Sequence, residues 1–172
     1  ITEVQFDEYF GFTDHEVREM LEYYDLSQYY EQVKEWYDGY EFGNREVYCP
    51  WDVINYCDTL LAEPDTMPGN YWLNTSSNEA VKHFIEKSGN VGARREIEKL
   101  IAGETIVKEI HQELTYKDMY QSIDNIWSVL YTTGYLTKRG KPEDNQFRLA
   151  IPNLEIRKIF TLQIMELFRK SV

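Results

Sequence analysis

Gly39, Gly43 and Pro50 constrain the fold of this chain more tightly than any other residues. They punctuate a run dense in aromatics, Trp36-Tyr37-Asp38-Gly39-Tyr40-Glu41-Phe42-Gly43, then Val47-Tyr48-Cys49-Pro50-Trp51-Asp52-Val53-Ile54-Asn55-Tyr56. Gly39 follows an apolar-periodic stretch and is free to take the left-handed conformation that closes a helix. Gly43-Asn44, flanked by Tyr40 and Phe42 on one arm and Val47 and Tyr48 on the other, reads as a hairpin turn. Pro50 suits the first turn of a helix, where its missing amide proton has no partner anyway. The chain must therefore stop a helix, reverse direction and start another within a short span. Trp36, Tyr37, Tyr40, Phe42 and Trp51 are expected to pack two helical layers around that reversal. The run then reads as a structural joint carrying no catalytic group.

The surrounding sequence extends this pattern. Thr13-Asp14-His15-Glu16 is a capping box, in which the Thr13 hydroxyl accepts from the Glu16 amide and the Glu16 side chain reaches back. Val17, Met20, Leu21 and Tyr24 recur behind it at helical spacing. A second helix restarts at Leu26-Ser27 and runs through Val33 and Trp36, so the pair forms an αα-hairpin. The helix from Pro50 extends to about Leu61. Two prolines and a glycine mark 63–70 as a linker. Beyond it, Ser76 and Glu79 open a helix, Val91 to Ala102 forms another, and Glu104 to Ile110 alternates like a strand. A helix from Asp124 to Gly134 precedes a strand at Tyr135–Lys138, a turn at Arg139–Asn145 and a return strand at Gln146–Ile151. A last helix carries Ile156, Ile159, Phe160, Ile164, Leu167 and Phe168 on one face. The expected class is mainly α with short β-hairpins (α+β). Residues 1–62 form a helical subdomain with the aromatic hairpin, 63–70 the linker, and 71–172 a helical region ending in a winged-helix-like module from about 104.

Charge narrows the partners. The 172 residues carry a net charge of −12. Residues 1–72 hold 17 acids and 3 bases, whereas 123–172 hold 5 acids and 8 bases. The acidic front repels phosphate backbones, so any contact with nucleic acid belongs to the last third. No stretch approaches the roughly 18 apolar residues needed to cross a bilayer, and no basic-plus-apolar signal segment opens the chain. Cys49 and Cys57 lack partners at zinc-ligand spacing and read as free thiols of a reducing, cytoplasmic protein. The chain opens on Ile1 rather than Met, which suggests a piece of a longer protein.

Chemistry is sparse. There is no G-x-x-x-x-G-K-[ST] run to cradle phosphates. His15, His83 and His111 have no partner at ligand spacing, and no carboxylates with a lysine stand out as a nuclease-type metal site. The expected sites are therefore none for catalysis, cofactor or metal. Two basic features remain. The helix before the terminal hairpin has no Arg or Lys, which a helix that reads base edges usually needs. The hairpin itself offers Lys138, Arg139, Lys141 and Arg148. The module thus docks on protein or binds nucleic acid through its wing, the helix favouring protein. Arg94-Arg95 could serve as a lid arginine touching a γ-phosphate, although an adjacent pair on a mixed helix is more often solvated surface.

The W-Y-D-G-Y-x-F-G run followed by Y-x-P-W-x-V-x-N-Y resembles the AAA-ATPase-like family of bacterial and archaeal proteins. Phe10-Gly11-Phe12-Thr13, Tyr71-Trp72-Leu73-Asn74-Thr75-Ser76-Ser77-Asn78, Leu130-Tyr131-Thr132-Thr133-Gly134-Tyr135-Leu136-Thr137 and Ile151-Pro152-Asn153 follow in the family's order. Cys49 departs from the Asn common there. The resemblance implies a P-loop ATPase core before Ile1, binding ATP and magnesium, and a restriction-endonuclease-like domain after Val172. This chain would be the helical lid-like and winged-helix-like part between them, with no cofactor of its own. Its partners would be its own ATPase core and the downstream domain, and it would relay nucleotide state. One face of the aromatic joint would meet that core.

Overall fold

The structure, a computed structural model, describes residues 11–74, 91–113, 117–118, 121 and 125–170. The helix expected to start at Ser76 lies outside them. The chain divides into two compact units, the first of residues 1–73 and 153–155, the second of residues 74–152 and 156–172. Both mix helices with small antiparallel sheets, an α+β arrangement.

The first unit starts with α1 (Asp14–Tyr23), whose capping box forms as expected. The Thr13 amide donates to Glu16 Oε2 at 2.8 Å and the Glu16 amide to Thr13 Oγ1 at 3.3 Å. A 3-10 turn (Ser27–Tyr29) leads into α2 (Tyr30–Tyr37). Gly39, at φ 97°, ends this helix in a conformation that costs a residue with a Cβ. Strands β1 (Tyr40–Phe42) and β2 (Arg45–Val47) then pair antiparallel across the Gly43-Asn44 turn, with Tyr40 opposite Val47. Gly11 is required for a different reason. A Cβ there would sit 2.7 Å from Val47 Cγ2, where Phe12 and Tyr48 exchange backbone hydrogen bonds beside β2. Helix α3 (Pro50–Ala62) follows with Pro50 in its first turn.

Val17, Leu21, Val33, Trp36, Tyr37, Tyr48, Val53, Tyr56 and Leu60 make the core of this unit. Much of it is tyrosine, and the hydroxyls explain how so many rings can be buried, since each polar end finds a partner. Tyr30 and Tyr48 both donate to Asp14 Oδ1 at 2.6 Å, and Arg18 Nε donates to Oδ2 at 2.8 Å. Burial opposes the Asp14 charge but is outweighed by these donors, which hold its carboxyl down at about 2.

Three more tyrosines fasten the segment expected to be a linker. Tyr29 OH donates to Asp65 Oδ1 at 2.7 Å, Tyr37 OH to the Gly69 carbonyl at 2.9 Å and Tyr56 OH to the Thr66 carbonyl at 2.8 Å. Residues 63–70 are therefore part of the first unit. Their prolines and glycine shape a surface strap that tyrosines from the 3-10 turn, α2 and α3 hold in place. The boundary falls instead at Leu73–Asn74.

In the second unit, α4 (Val91–Ile101) buries Ala93, Ile97 and Leu100. Strand β3 (Ile106–Glu109) is followed by α5 (Ile126–Thr132), then β4 (Thr137–Lys138) and β5 (Gln146–Ala150). The sheet is antiparallel in the order β3-β5-β4. The last helical stretch runs as α6 (Leu154–Ile159), a π-helical turn (Phe160–Ile164) and α7 (Met165–Lys170). Ile156, Ile159 and Phe160 are buried, and Phe160 meets Tyr135 edge-on.

The terminal hairpin turns within the expected 139–145, and one expectation about it changes, the placing of Lys138. The turn lies at Asp144-Asn145, both with positive φ (45° and 63°), and the Gln146 amide donates to the Glu143 carbonyl at 2.7 Å. Positive φ at both central residues is the primed turn that matches strand twist, so the tip is acidic and amide-bearing. Lys138 is buried, 8% exposed. It stands opposite Leu149, which is fully buried, so strand alternation points both to the inner face.

Candidate functional site

The same alternation that buries Lys138 brings two arginines together outside. Arg139 follows Lys138 and faces the other way. Its amide donates to the Arg148 carbonyl at 2.7 Å, so Arg139 and Arg148 lie directly opposite across β4 and β5. On the other side of β5, Val107 of β3 is the register partner of Arg148. Val107, Arg148 and Arg139 therefore stand abreast across the outer face, with Phe147 and Leu149 buried beneath. The connection after Arg139 carries Lys141. These residues, with Glu143 and Gln146, line an open concavity of about 470 Å³. Of the four wing cations expected from sequence, the structure gathers Arg139, Lys141 and Arg148 and sends Lys138 inward.

The helix before the hairpin is closed to solvent along most of its length. Ile126, Trp127, Ser128, Val129 and Leu130 are all buried in succession. The Ser128 hydroxyl accepts from the His111 amide at 3.0 Å, and Lys108 Nζ lies 5.3 Å from the Trp127 ring. A helix so enclosed has no face to lay in a DNA groove. Arg94 pairs with Glu98 one turn on, Nε to Oε1 3.2 Å, a partly exposed contact of the ordinary helical kind. Arg95 beside it is exposed.

In the aromatic joint, Trp36, Tyr37 and Tyr40 are buried as expected, Phe42 and Pro50 partly so. Trp51 is a correction: it is 59% exposed. Pro50 in the first turn sets the phase of α3, and that phase turns Asp52, Val53, Tyr56, Cys57 and Leu60 inward. Trp51, Ile54 and Leu61 then share the opposite face, and all three are at least half exposed. Their spacings of three and seven residues place them in one stripe.

Sequence reasoning missed a buried carboxyl pair in the same unit. Asp52 and Glu155 are both fully buried. The Trp72 amide donates to Glu155 Oε2 at 3.3 Å. Apart from the Cys49 thiol and the opposing acid, neither Asp52 oxygen nor Glu155 Oε1 has a hydrogen-bond partner. Burial, then the Asp52 charge, pushes the Glu155 carboxyl far above the glutamate range. Burial pushes Asp52 up as well, opposed by hydrogen bonding to Cys49 and Glu155. One proton held between the two acids supplies the missing donor. Burial, then the neighbouring Asp52 charge, raises the Cys49 thiol too, which keeps it protonated. Next to Glu155, Asn153 Nδ2 donates to the Asp38 carbonyl at 2.9 Å. The available signal was phase: Asp52 lies one turn before Tyr56 and two before Leu60, and Glu155 one turn before Ile159, both on apolar faces.

Among the described residues, no group of three or more His, Cys, Asp and Glu side chains could hold a metal ion. Among them, too, no helix is long and apolar enough to cross a membrane. Comparison with protein-family models, with curated proteins and with solved structures finds no match to this chain.

Proposed function

We propose that this chain is a non-catalytic accessory part of an AAA-ATPase-like protein, working through contacts with the rest of its parent. The observation that carries the reading is the α3 stripe. Trp51, Ile54 and Leu61 are exposed on a helix whose other face is already spent on the core. A Trp on an exposed apolar stripe is the kind of anchor that dominates protein interfaces. The stripe belongs to the aromatic run that carries the family resemblance, and its occupant in this reading is the ATPase core of the same parent. The first unit then acts as a lid, closing on that core with nucleotide state.

The second unit fits a winged-helix reading by its element order of helix, strand, helix and hairpin, with sheet order β3-β5-β4. The enclosure of α5 favours docking on protein over reading bases.

The test is kinetic. The chain alone should not turn over ATP, and Trp51→Ala with Ile54→Ser in the parent should change its ATP turnover while the unfolding midpoint holds. Steady turnover by the isolated chain, or a parent indifferent to both substitutions, refutes the proposal.

A further inference from the structure

We propose that the outer face of the β4–β5 hairpin binds the phosphodiester backbone of nucleic acid, without reading sequence. This goes beyond the accessory role and stands without it. The placing of two arginines on this face carries a cost. Arg139 and Arg148 are directly opposite across two strands, at the spacing of about 5 Å between neighbouring strands. Like charges so placed weaken a sheet, and Lys141 adds a third cation to the same concavity. Glu143 offsets part of the charge there. The surplus sits in the only one of the two units that is net positive. The second unit holds 15 bases against 12 acids, the first 3 against 18.

The shape of the cluster selects the ligand. The cations form a row across the strands and around the bend rather than a closed pocket. A phosphodiester strand repeats its charge at a short, regular spacing, about 3.4 Å of axis per phosphate in each strand of a duplex, and a row can follow it. Guanidinium groups suit phosphate oxygens because their donors are forked. Gln146 adds an amide, and exposed Val107 gives the sugar an apolar surface. No base is read, because the helix that would enter a groove is buried. Binding is therefore weak, of the non-specific class with Kd about 10⁻⁴ to 10⁻⁶ M, and the acids of the first unit keep it there.

The experiment titrates the whole chain into a fluorescently labelled mixed-sequence duplex and follows anisotropy as a function of salt. Three phosphate contacts predict a slope of about −2.7 in log K against log salt, a loss of about 40-fold between ~50 and ~200 mM. Arg148→Gln with Lys141→Gln should bring the loss down to about 3- to 4-fold. Arg95→Gln, an exposed arginine on α4, should change nothing. Unfolding curves check that the variants fold. Because Arg148→Gln removes one of two opposed cations, it should not lower the midpoint. No binding at the lowest salt overturns the proposal. So does binding whose salt slope survives the double substitution. Salt-sensitive self-association abolished by the same substitutions, without DNA binding, also overturns it and assigns the face to an acidic protein surface.

Discussion

Glu155→Gln tests the buried carboxyl pair most directly. In the unfolded chain Asp52 and Glu155 titrate as ordinary acids, from values of 3.8 and 4.5. In the folded chain the pair keeps one proton to well above that range. Between these limits the native state holds one more proton than the unfolded state. Stability contributed by the pair is thus complete below the ordinary carboxylate range and is lost as pH rises toward the raised folded value. The slope for one proton is about −1.4 kcal/mol per pH unit, so the chain should lose up to about 2.7 kcal/mol between about pH 6 and about pH 8. That is a large share of the 5–15 kcal/mol typical of a domain.

Glutamine removes the second acid while keeping shape. Its amide can donate to Asp52, whose remaining charge lies in the first turn of α3, near the positive end of the helix. The variant should therefore flatten the slope and gain on the native protein as pH rises. Urea titrations followed by tryptophan fluorescence would read this as a midpoint shift of about 1–3 M across the range for the native chain, at an m-value of roughly 1–3 kcal/mol per M. A native chain flat over those two units, or two parallel slopes, would show that no proton is held between the acids.

Other substitutions separate the two tryptophans and probe the strap. Trp36→Ala should cost about 3–5 kcal/mol because Trp36 is 7% exposed in the core. Trp51→Ala should stay within about 0.5 kcal/mol, and equal losses in denaturant unfolding would refute the assignment of Trp51 to the surface. Tyr37→Phe removes a hydroxyl that donates to the Gly69 carbonyl at 2.9 Å and accepts from its amide at 3.1 Å. It should cost about 1–3 kcal/mol and speed hydrogen exchange at the Gly69 amide.

The legible features share a short range. Thr13 and Glu16 are three residues apart, so their capping box could be read directly. Gly39, Gly43 and Pro50 act on their own φ or their own amide, so the helix end, hairpin and helix start followed from residue type. The hairpin at the other end was legible as a hairpin. Its turn was placed within 139–145, and the residues that reverse the chain there are Asp144-Asn145 rather than Gly140 or Pro142.

By itself, then, the sequence determined the order of elements, their caps and breaks, the α+β class and the charge difference along the chain. These rest on interactions within one turn or one hairpin. Tertiary structure alone decided which residues face inward. Lys138 lost its place at the candidate site because Leu149 opposite it belongs to the core, and Arg139 and Arg148 became neighbours through strand register. The prolines of 63–70 read as a linker until tyrosines of the 3-10 turn, α2 and α3 supplied partners for that segment's backbone. Asp52 and Glu155, a hundred residues apart, are both pushed above the ordinary carboxylate range because folding removes them from water within hydrogen-bonding reach of each other. Burial is a property of the assembled chain, and no local rule reports it.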